Sequence, residues 1–351
     1  MDIIATIAGT IVDQFQKPTL AFLIGGMFLA AIGSKFEIPE PVYKFVVALL
    51  LLKVGLGAGI SVRNSDPAEL LLPAVLAAAL GIGIVLLGRV TLVRMRGVSE
   101  MDAMATVGLF GAVSASTLAA GMAILDDEGI GYEGFIGALY PFMDVAALVT
   151  AIVLARLSAA RASTRQMSGG TVTMGGGSAG GPTLERGLVR GILTDTARSA
   201  AISALIVGLL IGLFAEPDSV YRGFYEPLFR GLLSILMLIM GMEAWQRLSE
   251  LKGVAHAYLA YCLLGPLVHG ALGFGAGLIA HELAGFSAGG VVLLAVMASS
   301  SSDISGPPTM RGALPQANPS AYVGASTGLG TPVAILSIPL WMALADLIIG
   351  L

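Results

Sequence analysis

Apolar runs of about 18 or more residues recur along the whole chain and are separated by short segments rich in polar residues, glycine or proline. A run of this length can cross the hydrocarbon core of a bilayer as an α-helix. We therefore predict an all-α polytopic membrane protein with ten transmembrane helices. Their predicted bounds are 18–34, 40–61, 68–94, 102–124, 134–157, 197–215, 224–246, 253–283, 288–312 and 319–349.

One long polar stretch, residues 158–196, separates two five-helix halves, residues 1–157 and 197–351. Its glycine- and serine-rich part, 168–181, has the composition of a flexible linker. A shift of 186 residues relates the halves, because it places Glu226 on Glu40, Gly241 on Gly55, Ala298 on Ala112, Ser300 on Ser114 and Ser302 on Ser116. Since each half has an odd number of helices, the second half must be inverted relative to the first. Inverted repeats of this kind are typical of secondary transporters.

The distribution of charge predicts the orientation in the membrane. Only 12% of the residues are charged and 56% are hydrophobic, with a mean hydropathy of +0.87, whereas soluble domains carry about 25% charged residues. If the amino terminus lies outside, fourteen basic residues fall on the cytoplasmic side and four on the outer side, with Lys53 inside a span. The positive-inside rule then places both termini outside and linker 158–196 in the cytoplasm.

Composition also argues against several kinds of site. The single cysteine, Cys262, excludes an intrachain disulfide and a cysteine-built metal site. The histidines, His256, His269 and His281, lack the i, i+4 spacing of a zinc-binding helix, so no transition metal is expected. Basic residues are not interleaved with aromatic ones, which argues against nucleic-acid binding.

The ninth predicted helix is interrupted by polar residues at the depth of the bilayer centre. The run Ser300–Asp303 lies there, and Pro307 and Pro308, which cannot donate backbone hydrogen bonds, are expected to break the helix. Such backbone persists in a membrane only where it is buried in protein or lines a watery cavity. The fourth predicted helix has a matching interruption at residues 108–117. Two broken helices of this kind are the usual form of a substrate and ion site in a secondary transporter.

Broken helices expose helix N-termini, whose free N–H groups and positive dipole ends favour an anion. The side chains around both breaks are short and polar, so the anion should be small. We assign it to hydroxyl groups and adjacent amides at six positions: Ser114, Ser116, Thr117, Ser300, Ser301 and Ser302.

Two aspartates, Asp144 and Asp303, lie deepest in the predicted membrane and need a cation partner or a proton. Lys53 is the one base within a span, but a structural ion pair would leave the serine clusters unexplained. Na⁺ fits better as the coupling ion, because carboxylate, hydroxyl and carbonyl oxygens abound at the breaks. Its candidate ligands are Asp144, Asp303, Ser114, Ser302 and Ser305, and residues 326–332 of the tenth helix add hydroxyls near by. No organic cofactor is expected.

Four segments in order along the chain resemble the cyanobacterial sodium-dependent bicarbonate transporter family, SbtA. They are residues 17–26, 134–144, 230–245 and 299–308. The resemblance covers nearly the whole chain outside the linker, which is shorter and richer in glycine than the family's charged linkers. It implies a Na⁺/bicarbonate symporter of the carbon-concentrating mechanism in the plasma membrane, with no enzymatic activity.

The resemblance also implies how the protein assembles and moves. A homotrimer is expected, in which a core domain moves against a gate domain in an elevator-type motion. The expected regulator is a cytoplasmic, trimeric PII-like protein, SbtB, which senses adenine nucleotides.

Three other functions remain open from the residues alone. An intramembrane aspartyl protease would use two membrane aspartates, but the Gly-Xaa-Gly-Asp sequence is absent at Asp144 and Asp303. A Na⁺/H⁺ antiporter would use the aspartates and leave the serine clusters without a role. A sodium symporter for another small organic anion would share every feature described above.

Overall fold

The computed structural model describes residues 18–64, 67–168, 194, 198, 200–250, 256–303 and 306–351. Every regular element in these ranges is helical. In the first half, the α-helices are α1 (Pro18–Ala31), α2 (Glu40–Asn64), α3 (Pro67–Val90), α4 (Glu100–Gly111), α5 (Ala115–Glu128) and α6 (Tyr140–Ser168). Two 3₁₀ turns, Leu92–Arg94 and Gly134–Leu139, precede α4 and α6.

The second half is divided more finely. Its α-helices are α7 (Ala200–Phe214), α8 (Asp218–Val220), α9 (Glu226–Glu250), α10 (His256–Ala284), α11 (Ala288–Ser299), α12 (Gly306–Ala313), α13 (Pro319–Val323), α14 (Thr331–Leu336) and α15 (Ile338–Ile349). Two π-helical segments, Tyr221–Tyr225 and Gly324–Gly330, connect α8 to α9 and α13 to α14. The tenth predicted span is therefore not a continuous α-helix, because the π-helical segment Gly324–Gly330 interrupts it.

Seven helical segments in the described residues are long and apolar enough to cross a membrane. Three shorter apolar helices, Ala21–Ala31, Ser203–Phe214 and Ala288–Ser299, lie where the first, sixth and ninth spans were predicted. The all-helical, multi-pass character is thus confirmed, while the count of ten spans and the inverted repeat stay predictions.

Helix α6 extends beyond the predicted end of the first half at residue 157. It continues to Ser168, because residues 158–168 include the strong helix formers alanine, arginine and glutamine and contain no glycine or proline. Of the remaining predicted linker, residues 169–196, only residue 194 is described.

Four helices, α1, α2, α7 and α9, pack as two close pairs, which we call the four-helix group. Helix α2 lies on α7, and a side-chain carbon at Gly55 would overlap the Leu205 carbonyl oxygen. Helix α9 lies on α1, and a side-chain carbon at Gly241 would overlap the Leu23 carbonyl oxygen. Gly55 and Gly241 are related by the predicted shift between the halves, so equivalent glycines make equivalent contacts.

The other helices, α3–α6 and α10–α15, form what we call the site group. Helix α11 is buried from Gly289 to Ser299, and α10 lies against it where Gly273 and Gly277 allow close approach. Helices α4 and α5 are buried along almost their whole length. Since lipid-facing residues would be exposed, the interrupted helices occupy the centre of the protein rather than its membrane surface.

Candidate functional site

The two helix interruptions meet in the centre of the site group. The first lies between α4 and α5, and the second lies between α11 and α12. The Ser114 amide donates to the Ser300 hydroxyl oxygen at 2.9 Å, and the Ser302 amide donates to the Leu109 carbonyl at 2.8 Å. Each break therefore satisfies buried backbone groups of the other, as an apolar interior requires. Residues at equivalent positions of the two halves touch directly.

Serine hydroxyls cap the helices that leave the two breaks. Ser114 is the N-cap of α5 and accepts from the Thr117 amide at 3.1 Å and from the Thr117 hydroxyl at 3.0 Å. The Ser302 hydroxyl accepts from the Gly306 amide at 2.9 Å, at the start of α12. Both helices therefore direct their positive dipole ends toward the junction, where a negative charge is stabilised.

The expectation that Pro307 and Pro308 end the ninth helix is wrong. Helix α11 already ends at Ser299, and both prolines lie in the first turn of α12. Proline is tolerated there because first-turn amides have no intrahelical partner. The break is instead made by the serines, whose hydroxyls replace backbone partners. The Ser300 hydroxyl donates to the Met297 carbonyl at 2.7 Å while it accepts from Ser114.

Asp303 joins the second break to the hydroxyl groups of the first. Its Oδ2 atom accepts from the Ser114 hydroxyl at 3.1 Å and from the Ser116 hydroxyl at close range. The Ser114 and Ser116 oxygens are 2.9 Å apart. The sequence interpretation had given Ser116 to the anion alone, but the structure places it in the same cluster as a candidate cation ligand.

Asp144 has a different role in the geometry. It is fully buried, and its Oδ1 atom accepts from the Val113 amide at 3.2 Å. Val113 lies inside the first break, where no helical carbonyl accepts from its amide. Asp144 thus supports the backbone of the break from helix α6, whereas Asp303 contacts its hydroxyls. The sequence alone had treated the two aspartates as equivalent.

Ser301 contacts a different region from Ser300 and Ser302. Its hydroxyl lies 3.1 Å from the Ser326 carbonyl and 3.2 Å from the Thr331 hydroxyl, in the tenth predicted span. The Thr331 hydroxyl in turn lies 3.2 Å from the Ser301 carbonyl. The hydroxyl-rich segment 326–332 therefore contacts the second break. Its content of serine and threonine is the feature of the sequence that indicated this contribution to the site. The candidate ligand Ser305 lies outside the described residues.

Lys53 does not neutralise the buried aspartates. Its ammonium group lies 4.0 Å from the centre of the Phe229 ring, within the four-helix group. In the described part of the chain, no ion pair links Lys53 to Asp144 or Asp303.

A small cavity separates the first break from the four-helix group. Ala115, Ser116 and Ala119 line it on one side. Apolar side chains of α2 and α9 line the other: Val47, Leu50, Leu51, Val54 and Leu236. The α2 and α9 surface that lines this cavity is therefore apolar, and these side chains carry no polar group that would compete for an ion.

Near the C-terminal end of α5, an ion pair joins the two groups. Arg230 on α9 forms an ion pair with Asp127 on α5. The Tyr132 hydroxyl donates to Asp126 at 3.0 Å, and burial, followed by the Asp126 carboxylate, raises the pKa of the Tyr132 phenol. Tyr132 therefore remains a neutral donor at physiological pH. Under the predicted orientation, the Arg230–Asp127 ion pair joins the two groups on the outer side.

This arrangement has a counterpart among known protein families. A model of the Na⁺-dependent bicarbonate transporter superfamily matches residues 18–346, nearly the whole chain. The chain belongs to this superfamily. A search of curated proteins found no match.

Membership of the bicarbonate transporter superfamily confirms the resemblance found in the sequence. The family consists of transporters, so the expectation that the chain is not an enzyme is also confirmed, and the intramembrane protease hypothesis is excluded. Sodium and bicarbonate are the transported species that the family implies. The buried hydroxyls, the carboxylate of Asp303 and the two converging helix N-termini are chemically suited to both ions.

Proposed function

We propose that this protein is a symporter that couples inward movement of Na⁺ to uptake of bicarbonate. The observation that carries the proposal is the direct contact between the breaks, Ser114 to Ser300, with Asp303 bonded to hydroxyls of the other half. Bicarbonate would occupy the amides and hydroxyls at the helix N-termini, at Ser114, Ser116, Thr117 and Ser300–Ser302. Na⁺ would lie beside Asp303, with Asp144 supporting the same backbone.

The close placement of the two sites supports obligate coupling. A cation next to Asp303 would offset the negative charge of the anion. Binding bicarbonate alone would add a further negative charge beside the carboxylate, which is costly in a poorly solvated interior. Transport of bicarbonate together with Na⁺ therefore needs less electrostatic work than transport of bicarbonate alone.

An elevator-type motion is our proposal for the transport step. The glycine contacts of α2 with α7 and of α9 with α1 support a rigid four-helix group. The apolar surface beside Ser116 favours sliding of the site group, because few polar contacts would have to break there. The four-helix group would then be the gate domain and the site group the core domain.

The remaining proposals follow from the resemblance. They are a homotrimer in the plasma membrane, a role in the carbon-concentrating mechanism, and inhibition by the PII-like protein SbtB. Both termini would lie outside and linker 158–196 in the cytoplasm, where the regulator would bind.

Uptake of radiolabelled bicarbonate into proteoliposomes tests the proposed function. We expect accumulation with an inward Na⁺ gradient and none when choline replaces Na⁺. An excess of unlabelled formate or acetate should not compete. Competition would instead indicate a symporter of another small anion, and Na⁺/H⁺ exchange without bicarbonate would indicate an antiporter.

Substitution of Ser300 by alanine tests the anion site. The change removes the acceptor for the Ser114 amide, and an unsatisfied buried donor costs about 1–3 kcal/mol. We expect the half-saturating bicarbonate concentration to rise roughly ten- to hundredfold. The matched control is Ser299→Ala, since that buried hydroxyl only donates within its own helix, to the Val296 carbonyl. Equal effects of the two substitutions would contradict the assignment.

A further inference from the structure

The π-helical segment Gly324–Gly330 contains two hydroxyl groups that the contacts described so far do not use. Ser326 is fully buried, and its hydroxyl oxygen has no hydrogen-bond partner among the residues that the structure describes. The hydroxyl oxygen of its neighbour, Thr327, is also buried and has none in the same part of the chain. A buried hydroxyl left unsatisfied is destabilising. Two adjacent ones therefore call for an explanation.

Other helical hydroxyls in this chain donate to a carbonyl of the preceding turn. Thr106 donates to the Asp102 carbonyl at 2.8 Å, Thr150 to the Ala146 carbonyl at 2.7 Å, and Ser299 to the Val296 carbonyl at 2.9 Å. This is the ordinary way in which membrane helices satisfy serine and threonine. Ser326 and Thr327 depart from it within a π-helix, a form that is rare and frequent at functional sites.

The position of these hydroxyls relates them to the proposed transport site. The Ser326 carbonyl accepts from Ser301, which belongs to the second break, and from Thr331 at 3.4 Å. The same π-helix packs against α9 of the four-helix group and against α10. The two hydroxyls therefore lie on the segment that connects the second break to the facing group of helices.

The ligand chemistry favours a small monovalent cation. Hydroxyl and carbonyl oxygens are hard, neutral donors, and the segment 324–331 contains no carboxylate that a divalent ion would need and no basic residue for an anion. Unwound helical backbone in transporters characteristically supplies oxygens to Na⁺. We propose that the hydroxyls of Ser326 and Thr327 form part of a second Na⁺ site, separate from the one beside Asp303.

This inference builds on the proposed Na⁺ coupling and gives it a stoichiometry of more than one Na⁺ for each bicarbonate. A second cation would leave the loaded site with a lower net negative charge, because Asp303, Asp144 and bicarbonate together carry three negative charges when ionised. Uptake would then depend on Na⁺ concentration with a Hill coefficient above one.

The test compares Ser326→Ala and Thr327→Val with the matched controls Ser299→Ala and Thr150→Val, whose hydroxyls are satisfied within their own helices. Uptake is measured against Na⁺ concentration at saturating bicarbonate. We expect the half-saturating Na⁺ concentration to rise about tenfold in the two test variants, as for loss of one buried ligand. Their Hill coefficient should fall toward one, while the half-saturating bicarbonate concentration at saturating Na⁺ stays unchanged. The controls should behave as the parent.

A second measurement separates this inference from the proposed function. Purified protein is heated in detergent without bicarbonate, and the rise in unfolding midpoint is recorded as NaCl replaces choline chloride. Weaker Na⁺ stabilisation in both test variants supports the site even if the parent fails to transport bicarbonate. Unchanged Na⁺ stabilisation and Na⁺ dependence overturns it. A shift in bicarbonate affinity alone also overturns it, and assigns the hydroxyls to the anion.

Discussion

Substitution of Asp303 by asparagine is expected to weaken Na⁺-driven bicarbonate uptake strongly while the protein still reaches the membrane. An asparagine oxygen can still accept from the Ser114 and Ser116 hydroxyls, so the hydrogen-bond geometry is largely kept and the charge is lost. Opposite unit charges 4 Å apart attract by about 4 kcal/mol at an effective dielectric constant of about 20. If the substitution removes half of this attraction, about 2 kcal/mol, Na⁺ binding weakens roughly thirtyfold.

The measurement is the Na⁺ dependence of uptake into proteoliposomes, with Asp346→Asn as the control. Asp346 is a suitable control because it is an exposed aspartate near the end of α15 and lies in neither break. The control should leave the half-saturating Na⁺ concentration unchanged. If Asp303→Asn retains the parent's Na⁺ dependence, the cation does not lie beside Asp303, and that carboxylate only orders the serine hydroxyls.

Substitutions of Asp144 separate support of the break from cation binding. Asp144→Leu removes the acceptor for the buried Val113 amide and should collapse the first break, with loss of uptake and a lowered unfolding temperature. Asp144→Asn keeps an acceptor of the same shape and should therefore fold nearly as well as the parent. We expect its unfolding midpoint to lie within a few degrees of the parent's and well above that of the leucine variant.

Transport by the asparagine variant then measures how much the Asp144 charge contributes. A moderate rise in half-saturating Na⁺, smaller than that of Asp303→Asn, is expected if Asp144 acts mainly through the backbone. A complete loss of Na⁺ dependence in a well-folded Asp144→Asn would identify Asp144 as the main cation ligand and reverse the order of the two aspartates. Equal unfolding midpoints for the asparagine and leucine variants would contradict its supporting role.

Most helix positions could be predicted from the sequence because hydrophobic length is a local property. The fourth predicted span, 102–124, coincides with α4 and α5, and the eighth, 253–283, coincides with α10. The break near Ser300 was also visible, since five polar residues, Ser299–Asp303, follow an apolar run. The role of the prolines was misjudged, because a proline pair fits the first turn of a following helix as well as the end of a preceding one.

The candidate site was predicted as a set of residues but not as an arrangement. The 186-residue shift that aligns Ser114 with Ser300 comes from the sequence, yet nothing local requires the two residues to touch. Likewise, Asp144 and Asp303 have the same chemistry and similar predicted depths. Their different partners, a backbone amide and a pair of hydroxyls, depend on how α6 and the second break pack against the first break.

The sequence by itself thus determined the class of protein, the family and the two polar interruptions. Long apolar runs, ordered motifs and polar clusters within apolar runs are local properties that can be read without knowing the tertiary contacts. Only the tertiary structure decided which hydroxyl meets which carboxylate and that Lys53 lies over Phe229. It also decided that the hydroxyl oxygens of Ser326 and Thr327 are buried without a hydrogen-bond partner among the described residues. The physical reason is that buried polar groups are satisfied by whatever the packing of distant helices brings within about 3 Å. That distance depends on helix contacts such as those at Gly55 and Gly241, which join segments far apart in the chain.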